Sequence, residues 1–155
     1  MPLPDTYQRA TNLQPVEVER LRQTRLLVRR WRTALCVPPG WKIRVYPCTN
    51  LQGYDGAAYF IDSRRVDLCL PVKFLRSQKL FDKWVETTVV HELLHVMFHD
   101  LNDYAMAMFV ENGIDTGGLE RKEEELVKRL ERAVARLWGL RTEGLRRRIN
   151  PSRIT

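Results

Sequence analysis

From Phe81 to Leu101 the chain reads FDKWVETTVVHELLHVMFHDL, with no glycine or proline and apolar residues on nearly every side. A run of this kind predicts a helix buried in the middle of a domain, because a surface helix would keep one polar face. All three histidines of the chain, His91, His95 and His99, fall inside it at four-residue spacing. Ionisable groups in a buried apolar helix are costly unless something satisfies them, and a bound metal would do so.

His91-Glu92-Leu93-Leu94-His95 is an HExxH sequence. Residues four apart on a helix lie one above the other, separated by a rise of about 6 Å, so two imidazoles can converge on one ion. Zinc takes such nitrogens at about 2.0 to 2.1 Å and keeps an open position when it is catalytic. Glu92 follows the first of these ligands, where its carboxylate can serve as general base for an attacking water. His99 is a poor third ligand. From His91 the helix rises roughly 12 Å to reach it, so a structural role or a polar position at the helix end is expected.

With no histidine left, the third ligand is expected to be an acid. The candidates downstream are Asp100, Asp103, Glu111, Asp115, Glu120 and the run Glu123, Glu124, Glu125. Periodicity favours Glu123, which lies three residues before Leu126 and seven before Leu130 on the apolar face of a predicted final helix.

HELLH followed some thirty residues later by a Glu-bearing helix resembles the zincin metallopeptidases, in particular the gluzincin branch, in which the third ligand is a glutamate. The metzincin branch fits poorly, since its third histidine would fall at Leu101. The short length and the TTVVHELLHVMF lead resemble small phage and prokaryotic metallopeptidases related to the ImmA/IrrE type. The resemblance covers about residues 86–131. These families often have a small residue three positions after the glutamate ligand and apolar residues six and seven after it. Glu124 with Val127 and Leu130 follows that frame, while Val127 is larger than usual and Glu131 is charged where an apolar residue is the rule. The resemblance therefore implies His91, His95 and Glu124 as ligands of Zn2+ and Glu92 as general base. It also implies a substrate strand lying along a sheet edge, a part that RVDLCLP could play. Tyr104 reads as an ordinary loop residue rather than a group that polarises the scissile carbonyl.

The remainder predicts an α+β fold, a small and mostly antiparallel sheet packed with helices, in one domain over 1–155. A basic amphipathic helix is expected at about 15–36, starting near Pro15 and ended by CVPPGW. WKIRVYP alternates like a half-buried strand, and AAYFID and RVDLCLP read as a hairpin turning near Asp62 to Arg64. Pro71 closes the strand region. NDYAMAMFVENG reads as a separate short helix, and Leu119 to Leu140 as a final helix presenting Leu126, Leu130, Val134 and Leu137 on one face.

At 155 residues the chain has the size of one ordinary domain, and its net charge of +7 sits at the ends. Residues 1–40 carry seven Arg against three acids, and 139–155 five Arg against one. The basic tail at about 141–155, with Arg146, Arg147 and Arg148, could touch nucleic acid weakly, although no nucleic-acid-reading motif accompanies it. Cys36, Cys48 and Cys69 lack CxxC spacing and are expected to be buried free thiols in a cytoplasmic protein. No segment approaches the length of a bilayer span.

These readings describe a zinc-dependent peptidase acting on a protein or peptide substrate. The alternative is a nucleic-acid- or virion-associated binding protein with a structural zinc site.

Overall fold

A computed structural model describes residues 8–49, 51 and 56–139. The first helix, α1 (Pro15–Ala34), begins with proline in its first turn, where the missing N–H costs nothing. Glu17 accepts the backbone N–H of Gln14 at 2.7 Å and Arg76 Nε at 2.9 Å, so one buried carboxylate fixes the helix start and ties it to a distant segment. Leu21, Val28 and Trp31 form its buried stripe. Cys36, just past its end, adopts a left-handed backbone and is exposed, whereas Cys48 and Cys69 are buried as expected.

Three strands follow, β1 (Lys42–Cys48), β2 (Ala57–Asp62) and β3 (Arg65–Pro71). β2 and β3 form the expected antiparallel hairpin, its turn braced by the Arg64 N–H donating to Asp62 Oδ1 at 3.0 Å. The strand order is β1-β3-β2, with β1 parallel to β3. The sheet is thus mixed rather than mostly antiparallel. Because the tight turn places β2 on one side of β3, β1 takes the other side, where the chain direction makes the pairing parallel. β3 is buried at every position from Val66 to Pro71, as suits a strand flanked on both sides and covered on both faces.

Pro71 does end the strand, and a five-residue helix follows at once, α2 (Val72–Arg76). Ser77 then leaves helical geometry and accepts the Leu80 N–H at 3.3 Å, capping α3 (Gln78–Glu111). α3 runs unbroken for 34 residues, roughly 50 Å. The separate short helix expected from Asn102 is its last third. Nothing between Leu101 and Glu111 can break a helix, and Ala105, Met106, Ala107 and Met108 all favour one. Its first half is buried, while Leu101, Tyr104, Met108 and Val110 beyond the core are exposed.

Gly113, at a positive φ, begins the turn into α4 (Gly117–Trp138), which ends at the left-handed Gly139. The buried positions of α4 are Val127, Glu131, Val134 and Ala135, with Leu130 partly buried. Leu126 and Leu137, expected in the apolar face, are 42% and 77% exposed. The helix is rotated from the orientation its leucines favour, and the reason lies in its carboxylates. α3 packs against both α1 and α4 and also meets the sheet, and the core around Trp31, Trp41, Phe74 and Leu93 fills the space. No described helix is long and apolar enough to cross a membrane. The basic tail over 141–155 lies outside the described residues.

Candidate metal centre

His91, Glu92 and His95 sit on consecutive turns of α3, halfway along it. The Nε2 atoms of His91 and His95 lie 3.3 Å apart. From α4, Glu124 brings Oε2 to 3.2 Å from His95 Nε2 and Oε1 to 3.8 Å from His91 Nε2. The three side chains present ligand atoms within 4.8 Å of one another, a cluster that could hold a metal ion. Donors held about 2.0 to 2.1 Å from one tetrahedral ion are roughly 3.3 Å from each other. The 3.3 Å between the two Nε2 atoms matches that spacing, whereas Glu124 meets His95 and His91 through different oxygens and would turn to present one of them to an ion.

The opposite edges of both rings are also occupied. His91 Nδ1 lies 2.9 Å from Glu131 Oε2, and His95 Nδ1 lies 2.9 Å from Glu123 Oε1. A carboxylate on Nδ1 holds a proton there, leaves the Nε2 lone pair for an ion and fixes the ring orientation. Glu131 is 1% exposed, and such burial of an acid has a clear local reason in this contact. Glu124, Val127, Glu131 and Val134 recur at three- and four-residue steps, so one face of α4 serves both packing and the histidines. That face accounts for the rotation of the helix away from Leu126 and Leu137.

Glu123 and Glu124 thus have separate places. Glu124 joins the cluster, and Glu123, favoured by periodicity, stands behind His95. Glu131 escaped notice as a site residue, although its charge at an apolar position of the frame was the signal. Lys128 also went unnoticed; its Nζ lies 3.0 Å from Glu124 Oε1 and shares that carboxylate.

Glu92 is buried at 6% exposure beneath the start of β2. A Cβ placed on Gly56 would lie 3.0 Å from Glu92 Oε1 and 2.5 Å from Thr88 Cγ2. Only glycine lets the backbone come this close to the carboxylate.

His99 stands apart. Its ring stacks on Phe60 at 3.7 Å, meets the edge of Trp41 at 5.3 Å and carries Asp103 at 3.2 Å from Nε2. It secures α3 to the sheet. The other candidate acids have other roles: Asp100 pairs with Arg64, Glu125 pairs with Lys122, and Asp115 accepts the Gly117 N–H. Glu111 is exposed at the end of α3, and the side chain of Glu120 lies outside the described residues. Tyr104 is helical and 65% exposed, not a loop residue.

Without an ion, the protons distribute unevenly. Burial opposes charge on His95, but Glu123 and Glu124 hydrogen-bond to the ring, and with the charges of Glu92 and Glu123 they raise its pKa to about 10. The bond from His95 lowers Glu124 to about 2 against the effect of burial, with help from Lys128. The raised His95 pKa stabilises the ion-free fold fully below its unfolded value near 6.5, and that contribution is lost as pH rises through about 10. An ion must displace the same proton. Metal affinity is therefore expected to rise about tenfold per pH unit between pH 6 and 8, measured by competition with a chromophoric chelator. A flat profile would mean that His95 is already neutral.

No protein-family model, curated protein or solved structure matches this chain, so the functional reading rests on the site itself.

Proposed function

We propose that the protein is a zinc-dependent peptidase, with His91, His95 and Glu124 as the zinc ligands and Glu92 as general base. The observation that carries this reading is the convergence of two Nε2 atoms 3.3 Å apart with the Glu124 carboxylate beside both, each ring held from behind by a carboxylate. Three protein ligands, rather than the four of a structural zinc site, favour catalysis over the binding-protein alternative; the count refers to the described residues.

Zinc in such a site supplies Lewis acidity towards a water and a carbonyl oxygen. Glu123 and Glu131 are engaged on the Nδ1 sides of the rings, which leaves Glu92, next to His91 on α3, as the carboxylate for proton transfer. Its Oε atoms take a proton from the attacking water and return it to the leaving amine nitrogen. Glu123 and Glu131 keep the two rings oriented throughout.

Among the described residues, one place near Glu92 suits a substrate strand. β3 cannot supply it, because both of its edges are already bonded, to β1 and to β2. β2 is an edge strand whose first residues follow Gly56, directly above Glu92. An extended segment pairing with β2 through its backbone would pass the carboxylate, so a disordered peptide or unfolded protein segment is the substrate class this site suits.

The test is cleavage of a quenched fluorescent peptide library by the full chain loaded with one equivalent of zinc. Turnover is expected to stop with chelator and return with added zinc. Failure to retain zinc, or cleavage indifferent to chelator, would remove the proposal. Gly56→Ala gives an independent check, because its methyl group must push either β2 or Glu92 aside. It is expected to lower kcat/KM at least tenfold while metal content stays at the wild-type value.

A further inference from the structure

We propose that the groove between α1 and the outer edge of β1 binds an extended acidic peptide by adding it to the sheet. The groove has a volume of about 410 Å³ and is lined by Arg25, Val28, Arg29 and Arg32 of α1 and by residues 43–46 of β1. Consecutive strand residues point to opposite faces. A concavity touching all four therefore runs along the backbone edge of the strand.

The direction of the peptide groups on that edge follows from the hydrogen bonds. Lys42 N–H donates to Arg64 O at 2.7 Å, which turns the peptide groups of Lys42, Arg44 and Tyr46 towards β3 and those of Ile43, Val45 and Pro47 outward. The outward side is already used in part by this chain. Ala10 N–H donates to Pro47 O at 2.8 Å and Thr49 N–H to Gln8 O at 3.0 Å, so residues 8–10 run antiparallel along the far half of the edge. After Ala10 the chain turns away to α1. Among the described residues nothing takes the outward N–H and C=O groups of Ile43 and Val45.

Charge decides the occupant. Arg25, Arg29 and Arg32 are spaced by four and three residues on one face of α1, and Arg44 stands across from them. The side chains of Arg25, Arg29 and Arg44 make no ion pair or hydrogen bond among the described residues, and Arg32 donates only to the Pro38 and Pro39 carbonyls. Among the described residues no acid lines the groove. A nucleic-acid backbone would satisfy the arginines, but it has no donors for the carbonyls of Ile43 and Val45 and would set phosphates against them. A peptide offers donors and acceptors in alternation, its acidic side chains meet the arginines, and its apolar ones meet Val28, Ile43 and Val45. The groove lies on the opposite edge of the sheet from β2, and its occupation does not depend on zinc or on catalysis.

The test is fluorescence anisotropy of a labelled Glu-Val-Glu-Val-Glu-Val-Glu peptide with the full chain, carrying Glu92→Gln so that the probe is not consumed. Saturable binding is expected, weakened at least tenfold by Arg29→Glu with Arg44→Glu, and severalfold by Arg25→Ala alone. Circular dichroism confirms folding, and charge reversal at the exposed Arg121 is expected to leave affinity unchanged. A probe N-methylated at every interior residue should also bind at least tenfold more weakly, because neither of its edges then has N–H groups to donate to β1. Absence of binding, equal affinity in the groove variants or indifference to N-methylation would overturn the proposal. So would displacement by a single-stranded 12-mer oligonucleotide at lower concentration than by unlabelled peptide, which would assign the groove to nucleic acid.

Discussion

Glu92→Gln is expected to keep its metal and lose peptide cleavage by two to four orders of magnitude, the usual contribution of a positioned general base. Glutamine fills the same space beneath Gly56, so the start of β2 need not move. It cannot accept a proton from water, and it removes no atom from the cluster of His91, His95 and Glu124. Metal content, measured by elemental analysis, should stay near one ion per chain while turnover collapses. Retained activity would assign the base elsewhere. Simultaneous loss of metal would show that the residue holds the site together rather than moving a proton.

The second large effect separates the two adjacent glutamates. His95→Ala and Glu124→Ala are each expected to take zinc from about one ion per chain to none after excess metal is washed away. Glu123→Gln and Glu131→Gln are expected to retain the ion with affinity lowered 10- to 100-fold, as is usual when the partner behind a ligand histidine is weakened. The reason is positional: Glu124 reaches 3.2 Å from His95 Nε2, whereas Glu123 and Glu131 lie on the Nδ1 sides. If Glu123→Ala emptied the site and Glu124→Ala did not, the two roles would be exchanged.

How far such a site can be read from letters depends on how local its geometry is. The spacing of His91 and His95 fixes their relation within one helix, so their convergence was legible before any tertiary information. Glu124 is different, because its place depends on how α4 is rotated against α3. Counting leucines gave the wrong face, since Leu126 and Leu137 are exposed and the buried Glu131 reads as polar. The family frame pointed to Glu124 and flagged Glu131 as a departure, and that departure is the carboxylate behind His91. In the sheet, the hairpin was legible from its turn, but the parallel pairing of β1 required knowing which edge of β3 was free. The unbroken length of α3 was concealed by the polar Asn102-Asp103 pair, which a long helix tolerates on its solvent side.

His91 and His95 belong to one helix and Glu124 to the next, joined through the turn that begins near Gly113. In the language of polymer chains, an ion gripping all three would be a crosslink, closing a loop of about thirty residues that the unfolded chain leaves open. The same three bonds would then act as a mechanical fastening between α3 and α4. Removing the ion would do more than silence a reactive centre, because it would release the closing helix from the rod against which it is packed.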